Sequence, residues 1–176
     1  MDITTMRNST IAKLGAITAA AACIGAAGAQ TNGPSGLSVR IGLFLPTSSE
    51  ASNLSKAWVG FGADFKLPFL AFKIPGVGLQ SYFGVSADYY SGSGDSDLPV
   101  ALTYNLRQGS IIYSAGIGPE FRSASDLTSS GSGLGEQLAV SFEFGSSPMP
   151  LFLEGKYFIS SRPELSGLAV YLGTRF

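Results

Sequence analysis

Few residues in this chain are spaced for chemistry. GSGDSDL (Gly92–Leu98) sets two carboxylates two residues apart, as a calcium loop begins, but the remaining ligands are missing and it reads as a solvated, charged loop. GSGLGE (Gly131–Glu136) is rich enough in glycine to cradle a phosphate. No Lys-Ser/Thr ending and no helix follow it, so it reads as a flexible loop. Glu154 and Lys156 share one face of a strand-like segment, which suits an internal ion pair. Histidine is absent from all 176 residues, which removes the commonest general base and a principal zinc ligand. No acid–base or nucleophile constellation assembles, and the expectation is a protein without catalysis, metal or cofactor.

The composition sets the frame for those residues. Charged residues make up 13 % and there are 23 glycines, against about 25 % and about 7 % in average soluble domains. The net charge of −1 offers no basic surface for nucleic acid. The N-terminus has the pattern of an export signal: Arg7 and Lys13, the apolar LGAITAAAACIGAA (Leu14–Ala27), then Ala27-Gly28-Ala29 as a cleavage site. Cleavage makes residues 1–29 a signal peptide and 30–36 a short leading segment. It also removes Cys23, the single cysteine, and with it any thiol chemistry. The apolar run is short for a membrane-spanning helix.

From Leu37 the chain repeats one pattern, alternation followed by a break. In LSVRIGLFL (Leu37–Leu45), Leu37, Val39, Ile41, Leu43 and Leu45 share a face, the period of a strand. Ala57–Leu67, Leu79–Tyr90, Pro99–Arg107, Ser110–Arg122, Glu136–Gly145, Leu151–Ser160 and Gly167–Phe176 follow. Eight strands with no helical period between them predict an all-β meander. The connections 46–56, 91–98, 123–135 and 161–166 are polar and rich in Ser and Gly, while those after the fourth and sixth strands are tight. Pro68–Gly78 is longer and more apolar than a simple turn.

The second face decides what kind of barrel this is. It carries Arg40, Asp64, Lys66, Asp88, Arg107, Glu120, Arg122, Glu143, Glu154, Lys156 and Arg175, six basic and five acidic, among glycines and the rings of Phe44, Trp58, Tyr82, Tyr90, Phe158 and Tyr171. Small residues beside large rings and paired charges suit the narrow interior of an eight-stranded barrel. The apolar face then meets lipid, where a Lys or Arg at mid-depth costs roughly 2–4 kcal/mol. Phe65, Tyr104, Tyr113, Phe144 and Phe176 are expected to form an aromatic girdle at one rim. Within the lumen, Arg40 is expected beside Asp64, Glu143 near Lys156, and Glu154 within reach of Arg175. The alternative is a soluble calycin-like barrel with its faces inverted and an apolar ligand cavity.

The closing GLAVYLGTRF resembles the C-terminal signal of bacterial outer-membrane barrels, with terminal Phe176 and outward Leu172, Val170 and Leu168. Thr174 departs from the family pattern, which usually has an aromatic or larger apolar residue there. With the export signal and eight strands, the chain resembles the small OmpA/OmpX-like barrels over Leu37–Phe176. The resemblance implies an eight-stranded antiparallel up-and-down transmembrane β-barrel in the bacterial outer membrane, inserted through the barrel-assembly machinery by its last strand. No peptidoglycan-binding domain is expected after it. Barrel enzymes of this kind use a His with Ser, which this chain lacks. Two functions stand from the sequence: a structural or adhesion-like barrel with a side-chain-filled lumen, or a narrow channel for small solutes or ions. The surface loops name no partner.

Overall fold

The computed structural model describes residues 36–176, except 75–77, 93, 124–129 and 146–148. The export signal expected over residues 1–29, Cys23 and the segment 30–35 lie outside the described residues. Eight strands form one closed antiparallel barrel in chain order, the last pairing with the first. They are β1 (Leu37–Pro46), β2 (Trp58–Ile74), β3 (Leu79–Gly92), β4 (Asp95–Gln108), β5 (Ile111–Ser123), β6 (Gly131–Phe144), β7 (Leu151–Ser160) and β8 (Gly167–Arg175). At the seam, Ile41 stands opposite Leu172 and Leu43 opposite Val170, so no strand edge is left unpaired.

Alternation sorts the side chains. Along β7, Leu151, Leu153, Tyr157 and Ile159 are exposed while Phe152, Glu154, Lys156 and Phe158 are buried. The same holds around the barrel, with Ile41, Leu43, Leu102, Ile117, Leu138, Val140, Leu168, Val170 and Leu172 outside. An apolar exterior around a charged interior is the transmembrane arrangement rather than the soluble one, and the inverted calycin-like alternative is thereby set aside. Phe65, Tyr104, Tyr113 and Phe144 all point outward. Phe65 pairs with Leu37 and Phe144 with Leu151, where β1 and β7 begin.

Three segments expected as loops are strand. Of the connection expected over 68–78, Pro68–Ile74 is strand: β2 continues to Ile74, paired with β3 across an irregularity between Lys66 and Ala71. Pro68, which cannot donate to a ladder, sits in that irregularity. The stretch Gly92–Leu98 is the tip of the β3–β4 hairpin, and Asp95 and Asp97 are buried rather than solvated. The stretch Gly131–Glu136 opens β6 instead of hanging free.

A short helix, α1 (Ser49–Leu54), was not expected within 46–56. The Ser48 hydroxyl caps it, accepting from the Ala51 amide at 3.1 Å. A 3₁₀ turn at Pro163–Leu165 lies at the same end of the barrel.

Candidate functional site

The lumen holds three layers of different chemistry. At the end bearing α1, Phe44, Trp58, Tyr90, Phe158 and Tyr171 pack with Ala51 and Leu165 into one buried cluster. Phe44 stacks on Tyr90 with ring centroids 4.1 Å apart, Tyr90 lies 5.2 Å from Phe158, and Phe44 lies 5.7 Å from Trp58. Such ring pairs add about 0.5–1.5 kcal/mol each beyond their buried area. Glycines make room for them: a Cβ on Gly60 would stand 2.9 Å from the Tyr171 ring, and one on Gly42 2.8 Å from it. Around this plug, the Tyr90 hydroxyl donates to Asp97 (2.8 Å). Glu120 accepts from Ser160 (2.9 Å) and Ser161 (2.7 Å) and lies 3.5 Å from Arg122. A Cβ on Gly133 would stand 2.7 Å from Glu120 Oε1 and would strike Ser161 Oγ, and one on Gly135 would lie 3.1 Å from Glu120 Oε2, so the Glu120 carboxylate occupies that side of β6.

The middle layer is an ion network. Arg40 pairs with Asp64 and donates to Asp88 Oδ1 from Nε (2.9 Å) and Nη2 (2.6 Å). The other oxygen of Asp88 accepts from Lys156 (3.0 Å) and Ser86 (3.1 Å). Glu154 lies 3.4 Å from Arg40 Nε and 3.5 Å from Lys156 Nζ. All but Asp64 are almost wholly buried, where charges persist only when paired and hydrogen-bonded.

The third layer lies toward the opposite end. Arg107 pairs with Glu143, and Arg175 reaches the same carboxylate at 3.1 Å while covering the Phe152 ring at 4.5 Å. Lys66 Nζ lies over the Tyr82 ring at 4.8 Å.

These placements correct two expected pairs. Glu143 meets Arg107 and Arg175, not Lys156, and Glu154 meets Arg40 and Lys156, not Arg175. Arg40 does pair with Asp64, and Lys156 with Glu154. Asp97, absent from the expected network, belongs to the lumen through Tyr90. Its signal was the period-two step from Asp95 through Asp97 to Pro99 on one face. The lumen is not filled throughout either: a cavity of about 850 Å³ occupies its lower part.

No protein-family model matches the chain, and neither does any curated protein. Among solved structures, the chain is similar to the outer membrane enzyme PagL, with a TM-score of 0.51 and 15 % identity over 80 % of this chain and 97 % of that one. The outer membrane protein Ail of Yersinia pestis, in a phospholipid bilayer nanodisc, gives a TM-score of 0.47 and 13 % identity over 82 % of this chain and 100 % of that one. The likeness to PagL is one of fold, the eight-stranded antiparallel barrel of outer-membrane proteins.

Proposed function

We propose that this chain is an outer-membrane barrel that neither catalyses nor conducts, and that acts as a structural or binding scaffold. In this reading residues 1–29 are removed on export and the last strand is recognised by the assembly machinery. The shorter connections, 109–110 among them, face the periplasm, and α1 and the 3₁₀ turn face outward. The observation that carries it is the aromatic plug, in which Phe44, Trp58, Tyr90, Phe158 and Tyr171 close the lumen beneath α1. At the level of these rings, eight strands leave little room beyond the side chains. The absence of histidine supports the non-catalytic part, because no imidazole is present to activate Ser160 or Ser161 beside Glu120.

The test is conductance of the purified barrel in a planar bilayer, with lipid analysis beside it. The expected result is a flat trace for the natural chain and openings for the Phe44→Ala/Tyr90→Ala pair. Phospholipid and lipopolysaccharide incubated with the barrel should be recovered unchanged by mass spectrometry. Unitary steps from the natural chain would favour the narrow channel, and released acyl chains would make it an enzyme.

A further inference from the structure

Beneath the ion network the barrel widens into the cavity of about 850 Å³, bordered at its mouth by Gly36, Met149, Pro150 and Phe176. That size suits a small molecule, for which sites run about 300–1,000 Å³. Its mouth and its inner end differ in charge. At the mouth, Arg107 and Arg175 share the single carboxylate of Glu143. Lys66 has no carboxylate partner among the described residues and rests on Tyr82. Three cations thus face two acids, the Glu143 side chain and the terminal carboxylate of Phe176, an excess of one positive charge. Deeper, Arg40 and Lys156 face Asp64, Asp88 and Glu154, an excess of one negative charge.

The inner wall contains one unusual side chain. Gln137 is only 2 % exposed, lines the cavity, and finds no hydrogen-bond partner for either its amide nitrogen or its oxygen among the described residues. Thr103, which faces it across Gly116, is already engaged, accepting from Asn105 at 3.0 Å. A buried amide left unpaired is costly, so a donor and an acceptor stand ready at the end of a cavity whose mouth is cationic.

We propose that this cavity binds a small organic anion whose body carries hydroxyl or amide groups, taken up from the end opposite the aromatic plug. The charge gradient orients the ligand. Its anionic group stays at Lys66, Arg107 and Arg175, and its neutral polar body reaches inward to Gln137. The plug makes the site a dead end, so binding here is reversible capture rather than passage.

The experiment is a titration of the isotope-labelled barrel in nanodiscs with glycerol 3-phosphate, following the side-chain amide resonances of Gln137. Glycerol and inorganic phosphate are titrated separately. The expected result is a saturable shift with an apparent Kd of about 1 mM or tighter. Lys66→Met should weaken it about tenfold, the scale of one charge-assisted hydrogen bond. Arg40, Asp88 and Lys156 are left untouched, and heat-dependent gel mobility checks that the variant folds. The natural chain alone is decisive, so a misfolded variant does not leave the question open. An unmoved Gln137 signal means that water satisfies the amide, and overturns the proposal. So does glycerol acting as strongly as glycerol 3-phosphate, or a shift that Lys66→Met leaves unchanged.

Discussion

Arg40 on β1 reaches over β2 to Asp88 on β3, and it does so across Gly62. A Cβ at position 62 would stand 2.6 Å from Arg40 Nε and would also strike Asp88 Oδ1. The glycine is therefore part of the ion network, although it has no side chain. Asp88 uses both oxygens, one on Arg40 and the other on Lys156 and Ser86.

Removing that carboxylate takes away the group that joins Arg40 to Lys156, leaving Arg40 with Asp64 and Glu154 and Lys156 with Glu154 alone. Asp88→Ala should lower the unfolding free energy by about 3–5 kcal/mol, the range for breaking one side of a buried pair. Gly62→Ala should cost about 1–3 kcal/mol through overcrowding alone. Urea unfolding of the lipid-reconstituted barrel measures both.

Glu143 of the third layer and Glu154 of the middle layer should couple to different cations. A double-mutant cycle between Arg175 and Glu143, which lie 3.1 Å apart, should give about 0.5–3 kcal/mol. The cycle between Arg175 and Glu154 should give nothing above error, because Glu154 is held by Arg40 and Lys156.

Charge is tolerated inside the barrel and not outside it. Leu153 is exposed on β7 between Phe142 and Leu172. Leu153→Arg should cost more than about 1 kcal/mol, approaching the roughly 2–4 kcal/mol of an arginine at mid-depth. Leu153→Phe should cost less than about 1 kcal/mol in the same unfolding assay, as a swap between apolar groups facing lipid.

The last strand should matter more for assembly than for stability. Phe176→Ala, at the end of a segment with outward Leu168, Val170 and Leu172, should reduce the folded barrel recovered from outer membranes several-fold. The refolded variant should unfold within about 1 kcal/mol of the natural chain, as expected for a terminal residue. Equal recovery of variant and natural chain would remove Phe176 from the recognition signal.

Much of this architecture was legible because a strand repeats every two residues and a membrane barrel sorts charge by that period. Leu37–Leu45 and Leu151–Ser160 read almost as they fold. The misreadings have physical causes. Ser, Gly and Asp around Gly92–Leu98 resemble a solvated loop, yet Asp97 lies inside because Tyr90 supplies a donor. Glycines 133 and 135 resemble flexibility, but the Glu120 carboxylate lies against their side of β6. Pro68 masked the continuation of β2 by interrupting its period. The pairs Glu143–Lys156 and Glu154–Arg175 failed because tilted strands carry ladder neighbours to different heights in the lumen. Glu154 stands opposite Ser141 and Tyr171, while Glu143 stands opposite Phe152. The cavity and the unpaired Gln137 have no sequence signature, since both depend on which side chains meet across the interior.

The central claim is that the charged, aromatic face is inside and the apolar face meets lipid. The chain's single tryptophan tests it, since Trp58 is 1 % exposed while its neighbour Val59 is 49 % exposed on the other face at nearly the same depth. The measurement is fluorescence quenching by lipids brominated along their acyl chains, comparing the natural barrel with Trp58→Phe/Val59→Trp. The account predicts weak quenching of Trp58 and strong quenching of the tryptophan moved to position 59. Equal quenching, or stronger quenching of Trp58, would contradict it.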